Sequence, residues 1–316
     1  MEEIDKFIAY ISGVRRYSER TSELYRDALE DYASFIGEMP IVESLTPSML
    51  RSYEVHLMDD KKLSAKTVGL HLSILSSFCK YLHKQGLLQT NPTRSIRRPK
   101  TEKLLPVFYR SEAMSAYFEH SAFYGSRDAL IAVQGKDGYK TFEAILRRLI
   151  IRILFCTGIR RSELIALTMG NVDMRRKLIT VTGKGDKMRE IPLEDSLIEE
   201  ISLYLQSCKL MGLLEGETST PLLRTKTGDM LYPNYVDRAV KRELGAEKDI
   251  TTRKSPHVLR HTIATELLNE GAGLNSIKEM LGHSSLAATQ VYTHNSIEKL
   301  KKAYNEAHPL CQSSKK

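Results

Sequence analysis

The chain has 316 residues, of which 41% are hydrophobic and 27% charged, and it carries a formal net charge of +8. That length points to two domains, each large enough to bury a core, and the balanced composition excludes wholesale disorder. Cys79, Cys156, Cys208 and Cys311 are far apart and form no CxxC pair, which argues against a zinc knuckle or a disulfide framework.

No apolar segment follows Met1, so no signal peptide is read, and the most apolar stretch, residues 149–155, is interrupted by Arg152 and falls far short of the roughly 18 residues of a membrane span. The expected setting is the cytoplasm, with no membrane role. The positive charge is clustered. Between Arg94 and Arg110 stand Arg94, Arg97, Arg98, Lys100, Lys103 and Arg110 against the single acid Glu102, and a second basic region runs over 147–189. Such clusters favour a polyanion such as nucleic acid, with a merely solubilising surface as the competing reading.

In chain order, the first hundred residues read as about four amphipathic helices. Ser18 precedes a run to residue 35, Thr46-Pro47 gives an N-cap with proline at the first helical position, and Ser64 opens a run through residue 82. Within that run Leu70, Ile74, Leu75, Phe78 and Leu82 recur at helical spacing, which predicts one packed apolar face. Asn91-Pro92 is a break, so residues 1–92 are expected to form a helical bundle. Residues 93–106 are basic, contain Pro99 and lack an apolar period, as an extended linker able to lie along a phosphate backbone would.

The second domain spans 107–316, with Ser111 as the predicted cap of its first helix. Residues 145–166 read as two helical pieces divided at Thr157-Gly158. The alternating, β-branched 177–181 and the segment 189–193 flank the turn Gly183-Lys184-Gly185, which predicts a β-hairpin. Helices are expected again over 197–211, around 232–244, after Ser255-Pro256, over 274–281 and after Ser284. The fold class is therefore mainly α with a small β-sheet.

Four segments carry chemistry. In Ser255-Pro256-His257-Val258-Leu259-Arg260-His261, the cap and proline place His257 in a first helical turn, where free N–H groups and the helix dipole favour an anion. His257, Arg260 and His261, at i, i+3 and i+4, are predicted to share one face. A metal pair is disfavoured because Val258 stands where the zincin pattern needs Glu, while incidental surface histidines are the blander alternative. In Thr157-Gly158-Ile159-Arg160-Arg161-Ser162-Glu163-Leu164, Arg160 emerges at a helix N-terminus amid apolar neighbours, where an arginine is costly unless paired or functional. Glu163 is its candidate structural partner. Lys184 sits at a hairpin tip between glycines, a place that allows close approach to a ligand but more often holds an exposed side chain. His283 lies at a helix end in Leu281-Gly282-His283-Ser284-Ser285, nine residues before Tyr292, which alone would read as a core or interface tyrosine.

In order and approximate spacing, Arg160 in TGIRRSEL, Lys184 in VTGKGDK, His257 and Arg260 in HVLRH, His283 in LGHSS and Tyr292 in TQVYTH resemble the tyrosine recombinases, and most of all their Xer-type members. The likeness covers nearly the whole chain. It implies a SAM-like, core-binding helical bundle followed by a DNA breaking-rejoining catalytic domain. It further implies that Arg160 and Arg260 clamp a DNA phosphate, Tyr292 attacks it to give a 3′-phosphotyrosine, and Lys184 protonates the leaving 5′ oxygen. His257 then serves proton transfer on the tyrosine and His283 hydrogen-bonds the phosphate. Always-ionised, forked guanidiniums suit that clamp, and a phenol with a pKa near 10 needs nearby cations and a base. No cofactor, metal or ATP is implied, since phosphotyrosine keeps the bond energy of the backbone.

The partners implied are double-stranded DNA and a homo- or heterotetramer of protomers, linked through a C-terminal helix bearing Ile297, Leu300 and Tyr304, with a DNA translocase as a further possible partner. Two departures stand out: Arg161 is an extra cation, and residues 120–142 are longer than the compact family core, as a loop or an inserted helix. Chromosome dimer resolution is the leading expectation. The integrase of a mobile element shares the chemistry, but the chain begins almost directly with the core-binding helices and shows no arm-binding domain. A non-catalytic DNA-binding regulator would leave the ordered set of six residues unexplained.

Overall fold

The computed structural model describes residues 1–99, 107–183, 186–213 and 220–282. The described residues are mainly helical with one small sheet, as expected. The chain divides into two units, Met1–Leu104 and Leu105–Lys316.

The first unit contains α1 (Glu2–Gly13), α2 (Glu19–Ile36), the single turn α3 (Ile41–Ser44), α4 (Pro47–Val55) and α5 (Ala65–Lys84). Ser18, Thr46 and Ser64 cap α2, α4 and α5, each side chain accepting from the backbone N–H three residues on, at 3.3, 3.2 and 3.2 Å. Each such cap satisfies an otherwise orphaned donor and contributes on the order of 1 kcal/mol. Ile4, Phe7, Leu29, Tyr32, Tyr53 and Phe78 form the core of this bundle. On α5, Ile74, Leu75, Phe78 and Leu82 are buried as the spacing predicts. Leu70 is not. It is 39% exposed and lines an open groove with Leu24 and Asp27 of α2 and His71, because the packed stripe runs instead through Val68 and Leu72.

In the second unit the long helix α8 (Gly138–Thr157) is central. Around it pack α7 (Arg127–Val133), α10 (Asp195–Leu210), α11 (Pro233–Gly245) and α12 (Pro256–Asn269). Buried residues occupy nearly every position of α8 from Ala144 onward, so that stretch is enclosed, while Tyr139 and Lys140 in its first turn remain exposed. Two of those positions are arginines. Arg148 donates from Nε and Nη2 to Glu200 at 3.2 and 3.0 Å, and Arg152 bonds Ser196 at 2.8 Å with Glu194 at 3.7 Å. Charges this deep are costly unless they are paired or fully hydrogen-bonded.

The first helix of this unit is α6 (Ser111–His120), and its N-cap is Arg110 rather than Ser111: the backbone is still extended at Arg110 and already helical at Ser111. Residues 120–142 resolve into a 3-10 turn (Ala122–Gly125), α7 and the first turn of α8, so the segment is largely helical rather than one long loop. The sheet is antiparallel in the order β1 (Val172–Asp173), β2 (Leu178–Thr182), β3 (Met188–Pro192), with Ile179 opposite Ile191 and Val181 opposite Arg189. The hairpin was expected; the two-residue β1 was not. Two more helices complete the described part, α9 (Arg161–Ile165) between α8 and the sheet, and α13 (Leu274–Leu281) after α12. No helix among the described residues is long and apolar enough to cross a membrane.

Candidate active site

Gly158 ends α8 in the left-handed conformation, with φ +60° and its N–H on the Leu154 carbonyl. A Cβ here would stand 2.5 Å from Leu281 Cδ2 and 3.1 Å from Ile263 Cγ2, so only glycine lets α12 and α13 close on this turn. The tight turn frees the Gly158 carbonyl and delivers Arg160 to the N-cap of α9.

Arg160 is fixed three ways. Its backbone N–H and its Nη1 each donate to an oxygen of Glu163 at 2.8 Å, and Nη2 donates to the Gly282 carbonyl at 2.9 Å. The side chain remains 35% exposed, so it is both held and open to a ligand. Glu163 is thus the structural partner weighed from the sequence. It also receives Nη1 and Nη2 of Arg189, at 3.0 and 2.8 Å. Burial would push the Glu163 carboxyl up, but the bonds from Arg189 and from the Arg160 backbone outweigh it and hold the group below its usual range.

Arg260, on α12, is buried and donates to the Gly158 carbonyl at 2.5 Å and to the Leu281 carbonyl. Burial, and next the nearby Arg160, bring its pKa down from 12.5 to about 10, still cationic at neutral pH. Among the described residues no carboxylate pairs with it within 4.0 Å. Arg160 and Arg189 share the one carboxylate of Glu163 and Arg260 has none among the described residues, so three guanidiniums face one negative charge and two positive charges are left uncompensated. A desolvated cation held only by carbonyl dipoles is stabilised further by a full negative charge, and a forked donor pair matches a phosphate.

Proline at N1 starts α12 after Ser255. Tyr109 fixes this start, its hydroxyl accepting from the Ser255 N–H at 3.2 Å and donating to the Arg253 carbonyl at 3.0 Å, while its own N–H donates to Thr262 Oγ1 at 2.9 Å. The predicted common face of His257, Arg260 and His261 is only partly observed. Arg260 turns inward to the two carbonyls, whereas both histidines are exposed. The His257 imidazole is held below its ordinary value by desolvation, then by Arg161, His261 and Arg260, against the opposing pull of Asp237. At neutral pH it is therefore a free base.

Arg161, the unexplained extra cation, pairs with Asp237 on α11. The second basic region is likewise less available than its sequence suggests, because Arg147 pairs with Glu243, Arg148 with Glu200 and Arg189 with Glu163. Lys184, His283 and Tyr292 lie outside the described residues. The structure thus brings Arg160 and Arg260 together, with His257 on the same helix as Arg260. Sequence reasoning missed Arg189. Its signal was strand alternation, since on β3 Arg189 and Ile191 are both buried at i and i+2.

A profile of the phage integrase family matches residues 135–299, and one of the phage integrase N-terminal SAM-like domain matches 4–86. Among curated proteins, tyrosine recombinase XerC of Chlorobaculum parvum is 33% identical over 97% of this chain and 94% of its own length. XerC of Bacillus licheniformis is 34% identical, over 98% and 97%.

The chain belongs to the phage integrase family.

Within that family it is a tyrosine recombinase of the Xer type, an enzyme of site-specific DNA recombination, and a non-catalytic regulator is not favoured. Solved structures agree on the fold. The XerH site-specific recombinase bound to palindromic difH substrate superposes with a TM-score of 0.66 at 20% identity, over 96% of this chain and 83% of that one. The Tn1549 transposon integrase in complex with transposon right end DNA gives 0.65 at 19% identity, over 99% and 98%.

Proposed function

We propose that this recombinase resolves joined chromosomes by cutting and rejoining duplex DNA at one phosphate per strand, held by Arg160 and Arg260. The observation that carries this reading is the pair itself: two neighbouring guanidiniums, one buried without a carboxylate and one part-exposed. In the transition state charge accumulates on the non-bridging oxygens, and preorganised forked donors stabilise it there.

Tyr292 supplies the nucleophile. Its phenolic oxygen bonds to phosphorus as the bond from phosphorus to the 5′ oxygen breaks; the phenol proton passes to His257, and the 5′ oxygen takes a proton from Lys184. His283 hydrogen-bonds the phosphate. Rejoining runs the same steps in reverse with a 5′ hydroxyl from the exchanged strand, and needs no ATP because the phosphodiester energy is kept in the phosphotyrosine. The helical first unit and the basic residues 93–106 grip the duplex through its phosphates, and four protomers, two per site, act in alternating pairs through their C-terminal segments.

A nicked suicide duplex carrying the recombination site tests this. The wild-type protein should be trapped as a covalent protein–DNA adduct, and Tyr292→Phe should bind the duplex but form none. An adduct that persists in the Phe variant identifies another nucleophile.

A further inference from the structure

Arg189 never faces solvent, yet it meets three segments that carry proposed site residues. It is 5% exposed. Its two Nη groups each take one oxygen of Glu163, the carboxylate that also holds the backbone and side chain of Arg160. Its Nε donates to the Met280 carbonyl at 2.8 Å, in the last turn of α13. The guanidinium lies flat against Gly282: a Cβ there would come within 3.0 to 3.3 Å of its Nη1, Cζ and Nε, and Gly282 has φ +66°. On the facing strand arm, a Cβ at Gly183 would stand 3.6 Å from both Arg189 Nη1 and Glu163 Oε1. Gly183 immediately precedes Lys184, and Gly282 immediately precedes His283.

We infer that Arg189 is a positioning residue for strand cleavage: its single buried fork sets the hairpin arm before Lys184, the Arg160–Glu163 turn and the end of α13 in one mutual register. The inference rests on the roles proposed above for Arg160 and Lys184. Only a guanidinium can do this. A lysine at 189 keeps the charge but has one nitrogen, which cannot span both Glu163 oxygens and the Met280 carbonyl together. The buried ion pair taken alone would be a fold-holding device, and replacing such a pair changes stability without touching a reaction step. Arg189 acts on the reaction because its partners are the backbone and side-chain groups that orient the reacting residues, and small misplacements there cost rate steeply.

The test compares full-length wild type, Arg189→Lys, Glu163→Gln and the double variant in single-turnover adduct formation on the suicide duplex, with rates taken per DNA-bound molecule. Two substrates are used, one with the normal 5′ oxygen and one with sulfur at the bridging position, whose better leaving group needs no proton. Arg189→Lys should bind the duplex within about 3-fold of wild type and cleave the oxygen substrate at least about 30-fold more slowly, with the deficit shrinking about 10-fold on sulfur. The double variant should be slower than Glu163→Gln by much less than the full Arg189→Lys factor, because the two residues share the fork and only the Met280 bond is Arg189's own.

A wild-type rate per bound molecule, with only a lowered melting temperature, would overturn the inference and leave Arg189 as a structural ion pair. Equal deficits on both substrates, or additive losses in the double variant, would overturn it as well. Lys184→Ala is run beside these to separate the two ideas. If sulfur fails to restore Lys184→Ala, the proton-donor assignment falls, and Arg189 stands or falls on its oxygen-substrate rate and the double variant alone.

Discussion

Glu266 is the sixth residue after Arg260 on α12, 8% exposed, and no well-formed hydrogen bond reaches either of its carboxyl oxygens among the described residues, the Ser111 hydroxyl being its one weak polar neighbour. Burial raises its pKa from 4.5 to about 7, Glu112 and Glu270 add to the rise, and the Ser111 hydroxyl offsets only part of it. The folded state therefore holds a proton that the unfolded chain releases near pH 4.5. Between that pH and 7 the native protein binds more protons than the unfolded one, so stability is fully present below 4.5 and falls as the pH rises through 7. The gap between 4.5 and about 7, at about 1.4 kcal/mol per unit, amounts to a loss of about 3 kcal/mol above pH 8.

Glu266→Gln is neutral at every pH and nearly the same shape, so it should remove that loss. At pH 8 the variant should be more stable by up to about 3 kcal/mol, raising the melting temperature of a unit this size by about 6–12 °C, whereas at pH 4.5 the two proteins should melt together. Urea unfolding of both proteins from pH 4.5 to 8.5 measures the effect. Parallel stability curves, or a glutamine variant weaker than wild type at pH 8, would show that the carboxyl finds a partner and that the reasoning is wrong.

Gly158→Ala should destabilise the catalytic unit by about 2 kcal/mol or more, from left-handed strain plus the 2.5 Å approach to Leu281 Cδ2, as read by chemical denaturation. Arg260→Lys should cut the cleavage rate by roughly 100-fold or more in single-turnover assays while sparing most site affinity, because one ammonium cannot replace a fork bound to the Gly158 and Leu281 carbonyls. His257 must be neutral to accept the phenol proton, so cleavage should fall only as the pH drops through its lowered pKa. The acid limb of the pH–rate profile is thus expected below 6.5, and His257→Gln should remove it.

Helix starts were legible because they are local. Ser18, Thr46 and Ser64 cap where their sequence neighbours predict, and residues 274–281 form the expected helix. The hairpin was legible from alternation and two glycines. What escaped was decided by distant partners. The first turn of α8 at Gly138 has no side-chain cap to mark it and opens with exposed Tyr139 and Lys140 before the apolar run begins, and β1 exists only because β2 offers it an edge. The charge of 147–189 looked available for DNA until Glu243, Glu200 and Asp237, far along the chain, were found to claim much of it. In the site, Arg160 and Arg260 were visible as motifs. Arg189 was hidden, since its importance comes from contacts with residues 26 and 91 positions away.

The two glycines that flank the arginine pocket have a consequence for how this protein can vary. At Gly158 and Gly282 the backbone is left-handed and the space beside it is already filled, by a leucine and an isoleucine in one case and by a guanidinium in the other. No compensating change of charge or polarity elsewhere can make room for a methyl group at either point. The chemistry of the pocket is carried by its largest side chains, but its architecture is anchored by the two residues that have none.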